Sequence, residues 1–89
     1  MSGEDKLRNR YFPGALAEIE KLMAHGATTH PHDLEWREHN VEAHQLHLEE
    51  HLWQYLAGNQ VDPESKQSQL AHVATRAIMM LEVELRNGN

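Results

Sequence analysis

The chain has 89 residues and no cysteine, which is enough for one small domain and excludes disulfides and thiolate metal sites. Its formal net charge is −6, from 14 acidic and 8 basic residues, and that argues against DNA or RNA binding, which needs a basic patch. No apolar run approaches the roughly 20 residues that span a bilayer, and the first six residues are polar rather than a signal-peptide core, so a cytoplasmic protein without membrane contact is expected.

Residues 1–10 are charged and aperiodic and are expected to form a flexible arm ahead of a single domain over 11–89. Tyr11-Phe12-Pro13-Gly14 combines two aromatic rings with helix-start punctuation. Leu16, Ile19, Leu22 and Met23 recur at helical spacing and predict a short amphipathic helix over 15–24, which Gly26 is placed to end. Residues 26–33 read as a loop, with Pro31 turning His30 away from helix. Asp33 then stands as the cap of a long helix to Ala57, with Trp36 and Arg37 in its first turns. Val41, Leu48, Leu52, Tyr55 and Leu56 make one apolar stripe on it, and Leu46 and Trp53 a second. A helix with two stripes packs on two neighbours. Gly58-Asn59-Gln60 reads as a turn. Asp62-Pro63-Glu64-Ser65 has the marks of a helix start: a capping acid, Pro at the first helical position and an acid in the first turn. That last helix is expected to reach about Arg86, with Leu70, Ala74, Ala77, Leu81 and Leu85 on one side.

The architecture expected is all-α: a short helix, then a long antiparallel helical hairpin. A domain this small buries only about 60–68% of its unfolded surface, so assembly into a homo-oligomeric helical bundle is expected to complete the core.

His44, His47 and His51 are spaced by three and four and share a helix face. Asp62, Glu64 and His72 follow after the turn, and an antiparallel return brings the two groups together. Titratable groups between two helices are costly in a core and more natural in a site. His pairs one helical turn apart are a known metal-ligand arrangement, but no zincin-type Glu follows, and histidines hydrogen-bonded in a core or interface are the plainer alternative. Asp62 alone could be only a helix cap, Lys66 and Arg76 only solvated charges, and Trp36 and Trp53 only core or interface. Tyr11 and Phe12 lie on the arm, where they could stack a purine, with Arg8 or Arg10 near its phosphate.

The order Gly26-Ala27, Trp36-Arg37, His51-Leu52, Leu56-Ala57-Gly58, Asp62-Pro63-Glu64-Ser65, Leu70-Ala71-His72 and Leu81-Glu82 resembles the phage and bacterial dATP/dGTP diphosphohydrolases, distant relatives of the all-α MazG-like nucleotide pyrophosphohydrolases. The resemblance covers residues 13–85. Against the pattern of that family, Glu50 replaces an Arg, Asn59 a Glu, Lys66 a Gly, Gln69 a His and Arg76 an Asn. An acid, a His and an Asn are thus lost, and two cations appear. Loss of the carboxylate at position 59 lowers affinity for Mg²⁺, and gain of Lys66 and Arg76 favours holding phosphate directly.

The function that the resemblance implies is therefore nucleotide binding and sequestration without efficient hydrolysis. A phage origin, and a cyclic-nucleotide immune signal as one form of the ligand, come from the resemblance alone. The alternatives are an active Mg²⁺-dependent dATP/dGTP pyrophosphohydrolase and a ligand-free structural interaction module. The ligand-binding residues expected are Tyr11, Trp36, His47, His51, Asp62, Lys66, His72 and Arg76. No catalytic residue is assigned, and no cofactor is expected unless hydrolysis brings Mg²⁺.

Overall fold

The computed structural model describes residues 3–29 and 34–88, and all its regular elements are helical. The α-helices are α1 (Gly3–Lys6), α2 (Pro13–Thr29), α3 (Val41–Leu56) and α4 (Gln69–Arg86). A π-helical stretch, Leu7–Tyr11, follows α1, and a 3-10 turn, Glu35–Glu38, precedes α3. No helix among the described residues is long and apolar enough to cross a membrane.

Residues 3–11 are helical where the sequence reads as an aperiodic arm. An exposed ion pair at 3.0 Å, Arg8 Nη2 to Glu20 Oε1, links them to α2. The predicted face of α2 holds: Leu16, Ile19, Leu22 and Met23 are all half-buried. Its limits do not, because the helix starts at Pro13 and passes through Gly26 to Thr29. Gly26 is therefore an interior residue, tolerated at a cost of about 1 kcal/mol relative to Ala. The expected Asp33 cap and Pro31 effect lie outside the described residues.

Trp36 and Arg37 do not open the long helix. They sit in the 3-10 turn, after which His39 and Asn40 are extended, with ψ of 144° and 169°. Asn40 caps α3 instead, its side-chain oxygen accepting from Ala43 N at 2.9 Å. An Asn cap satisfies an otherwise orphaned first-turn N–H, and this local bond decides where α3 begins. At the other end Gly58 adopts φ +99°. Its N–H donates to Tyr55 O at 3.1 Å, and Asn59 N–H donates to Gln54 O at 2.9 Å. Those two bonds are a Schellman closure, which needs the left-handed conformation that Gly adopts freely.

The largest departure is at Asp62-Pro63-Glu64-Ser65, which does not start the last helix. Asp62 Oδ2 does cap a turn, accepting from Ser65 N at 2.8 Å. Lys66 then takes φ +65° and stops helical propagation. The loop closes on itself through Asp62 N–H to Gln67 O at 2.9 Å and Gln69 N–H to Gln60 O at 2.8 Å. Ser68 is the true cap of α4, its hydroxyl accepting from Leu70 N at 3.1 Å.

α3 and α4 pack along their lengths, and their contacts run in opposite order: His51 meets Gln69, and His44 meets Arg76. Between them the interior is polar. His44 is 0% exposed and Gln69 2%, with Thr75 also buried. The buried apolar residues among those described are Ala71 and Val83. Of the expected stripe on α4, Leu70, Ala77, Leu81 and Leu85 are exposed instead, while Ala74 is half-buried. Leu46 and Trp53, 62% and 63% exposed, do likewise, as does Leu56. Val41, Leu48, Leu52 and Tyr55 of the first α3 stripe are half-buried, and polar side chains of α3 and α4 satisfy one another across the same interface.

Candidate functional site

α3 supplies the first wall of the site. His44 Nε2 donates to Trp36 O at 2.8 Å, and its Nδ1 accepts from Arg76 Nη1 at 2.9 Å. A guanidinium has no acceptor atom, so Arg76 forces the lone pair onto Nδ1 and the proton onto Nε2. Burial above all, then the nearby Arg76, His39 and His47 charges, keep His44 below its ordinary pKa, although its bond to the Trp36 carbonyl works the other way. His47, one turn on, is also held low, first by burial and then by Arg76.

The second wall is the end of α3 against the Asp62 loop and the start of α4. His51 and His72 stack, with ring centroids 4.1 Å apart and planes 11° from parallel. His51 Nδ1 donates to the Gln69 amide oxygen at 2.6 Å, leaving Nε2 with its lone pair. His72 Nε2 lies 2.7 Å from the Ser65 hydroxyl and 3.7 Å from Asp62 Oδ2. Burial raises the Asp62 pKa, but hydrogen bonds from the Ser65 N–H and hydroxyl and the two imidazoles outweigh it and hold Asp62 below its ordinary value. His72 is lowered by burial first and by His51 second, against the pull of Asp62. Ser65, His72 and Asp62 do not form a nucleophilic triad: the acid and the hydroxyl both approach His72 Nε2, whereas a triad needs them on opposite ring nitrogens.

These walls bound a hollow of about 600 Å³ lined by Trp36, His44, His47, His51, Asp62, Glu64, His72 and Arg76, with Leu22, Met23 and Met79 supplying apolar surface. A second hollow of about 620 Å³, lined by Glu50, Gln54, Asn59 and Gln69 among others, shares His51 and Asp62 with the first. Arg76 is half-buried, and burial lowers its pKa. No carboxylate among the described residues lies within ion-pair distance of it. The indole N–H of Trp36 is buried without an acceptor among the described residues.

Six of the eight expected ligand residues therefore meet on one hollow: Trp36, His47, His51, Asp62, His72 and Arg76. Tyr11 is 54% exposed and packs on Phe12, away from that lining. Lys66 is exposed in its loop and is not part of the lining either. Glu64 does join His51, Asp62 and His72 on the same hollow, as the antiparallel return of the chain requires. His44 is named in the histidine strip but, like Ser65 and Gln69, is not among the ligand-binding residues expected from the sequence. Signals for them existed: His44 lies seven residues before His51 on one helix face, Asp-x-x-Ser is an Asx-turn pattern, and Gln69 occupies a position where the resembling family has His.

His51, Asp62 and His72 offer ligand atoms within 4.8 Å of one another. Mg²⁺ prefers near-octahedral oxygen donors, and two imidazoles with one carboxylate do not suit it.

A family model described as dATP/dGTP diphosphohydrolase, N-terminal, matches residues 3–89. The chain belongs to that family. No curated protein and no solved structure matches it.

Proposed function

We propose that this member of the dATP/dGTP diphosphohydrolase N-terminal family binds a nucleotide and sequesters it without efficient hydrolysis. The observation that carries the reading is Arg76: a half-buried guanidinium on a ligand-sized hollow, with no carboxylate partner among the described residues. A buried cation without a counter-charge is costly, and a phosphate would offset that cost through charge-assisted hydrogen bonds. His47, His51 and His72 add nitrogen groups around it, and the Trp36 N–H, without an acceptor among the described residues, is a donor for the same ligand. The family description links the chain to purine deoxynucleotides. The poor match of the donors to Mg²⁺ ranks sequestration ahead of pyrophosphohydrolysis. A phage origin and a cyclic form of the ligand belong to this proposal through the family resemblance.

The same proposal includes a homo-oligomer. The accessible surface is 6544 Å², against about 5,400 Å² for a folded monomer of this mass by size scaling. Leu46, Trp53, Leu56, Leu81 and Leu85 are among the exposed large apolar side chains, the kind of surface that association covers.

A thermal-melting screen over linear and cyclic nucleotides, with and without Mg²⁺, tests the reading. A ligand that binds only the folded state adds RT ln(1 + [L]/Kd), about 2.7 kcal/mol at a hundredfold excess over Kd. The expected result is a clear upward shift with at least one nucleotide, with or without Mg²⁺, and no pyrophosphate released from dATP or dGTP. The absence of a shift with every nucleotide would leave the ligand-free interaction module. Robust turnover abolished by Asp62→Ala would establish the hydrolase.

A further inference from the structure

We infer that His51, Asp62 and His72 form a binding site for a divalent transition-metal ion of the zinc class, with its remaining coordination positions open to the hollow. The three residues come from three separate parts of the chain: the last turns of α3, the closed loop and the first turns of α4. Their ligand atoms nevertheless lie within 4.8 Å of one another. Two imidazoles and one carboxylate are a donor set that suits Zn²⁺, Co²⁺ or Ni²⁺.

The surroundings support the ligands in the way metal sites require. A metal-bound imidazole donates its other N–H to a carbonyl or carboxylate, which fixes the tautomer. His51 does so, Nδ1 donating to the amide oxygen of fully buried Gln69, and its Nε2 lone pair remains for a metal. Asp62 is held by Ser65 N–H at 2.8 Å, and this bond engages only one of its two oxygens. His44 is unavailable, since both its nitrogens are committed, one to Arg76 and one to the Trp36 carbonyl. The metal-ligand arrangement suggested by His44, His47 and His51 along one helix is therefore replaced by one that joins two helices and a loop.

Loading needs a defined movement. Bonds of about 2.1 Å to a tetrahedral ion bring donors to about 3.4 Å from one another. The His51 and His72 rings must rotate out of their parallel stack, and His72 must release the Ser65 hydroxyl if it binds through Nε2. Both are side-chain rotations of half-buried groups that leave the helices in place. All three residues line the first hollow, so water or an anion oxygen can complete the coordination.

The test uses metal alone and so is independent of the nucleotide reading. Chelator-treated full-length protein is titrated with Co²⁺ and followed by visible absorption, then challenged with Zn²⁺. The expected result is one tight equivalent per chain, with intense absorption of a low-coordinate Co²⁺ ion that Zn²⁺ removes. His51→Gln and His72→Gln should each weaken Zn²⁺ binding at least tenfold, as should Asp62→Asn, which keeps the oxygen that caps Ser65. His25→Gln, on the same hollow, should leave it unchanged. X-ray absorption at the Zn edge of the unmodified protein should show two imidazole donors, which requires no variant to fold. Binding that is absent, that survives all three substitutions together, or that shows fewer than two imidazoles would overturn the assignment.

Discussion

At the scale of single residues, Arg76 has two roles that a substitution separates. It faces the hollow, and it donates to the lone pair of a histidine that is 0% exposed. Charge-assisted contacts to phosphate contribute roughly 1.5–3 kcal/mol each. Arg76→Ala is therefore expected to weaken nucleotide binding at least about tenfold, each tenfold being about 1.4 kcal/mol. It also leaves His44 Nδ1 buried without a donor, which costs about 1–3 kcal/mol of stability. Lys66→Ala should leave affinity unchanged, because Lys66 is off the hollow. Calorimetric titration of the two variants checks this contrast, and equal losses would move the phosphate toward the loop.

At the scale of elements, the segment from Gly58 to Ser68 decides where α4 starts and thereby which residues face α3. Lys66 holds φ +65°, a conformation that costs a side-chain-bearing residue about 1–2 kcal/mol. The resembling family has Gly at this position, and the loop geometry supplies the reason. Lys66→Gly removes that strain but adds freedom to the unfolded chain, so a net gain of about 0.5–1 kcal/mol is expected. Chemical denaturation measures it. A loss of stability would mean that the lysine makes a compensating contact. Gly58, at φ +99°, is the reverse case, and Gly58→Ala should destabilise by about 1 kcal/mol.

At the scale of the whole molecule, polar side chains of α3 and α4 meet inside while Leu46, Trp53, Leu56, Leu70, Leu81 and Leu85 are exposed. A chain arranged this way is expected to self-associate, with Leu46 and Trp53 in the seam. Light scattering at micromolar concentration should return a dimer or larger, and Trp53→Glu should lower the mass; a monomeric mass for the unmodified chain would remove this part of the proposal. The histidines of the site also set a pH dependence. His44, His47 and His72 all titrate lower in the folded protein than the ordinary imidazole value of 6.5. As pH falls below about 6.5 the unfolded chain takes up protons that the folded chain does not, so stability drops. The depressed Asp62 carboxyl acts in the same direction at lower pH. Melting temperature should be level above neutrality and fall as pH drops from 6.5 to 5; a flat profile would show that these groups titrate normally.

Much of the local structure was legible in the chain itself. The spacing of Leu16, Ile19, Leu22 and Met23 marks the inner face of α2, and Gly58-Asn59 marks the end of α3, because helical period and left-handed closure are local properties. The return of the chain after that turn was enough to bring His51, Asp62 and His72 together. Element boundaries were less legible where two local signals competed: Asn40 displaced the start expected at Asp33, and Ser68 displaced the start expected at Asp62. Which apolar residues of α4 lie outside was decided by tertiary structure. Hydrophobic pattern places Leu70, Ala77, Leu81 and Leu85 inside, yet the hydrogen bonds of His51 to Gln69 and of Arg76 to His44 turn polar side chains of the two helices toward each other. Those bonds join residues 18 and 32 positions apart, and no periodicity within one helix encodes which polar side chain on the next will satisfy it.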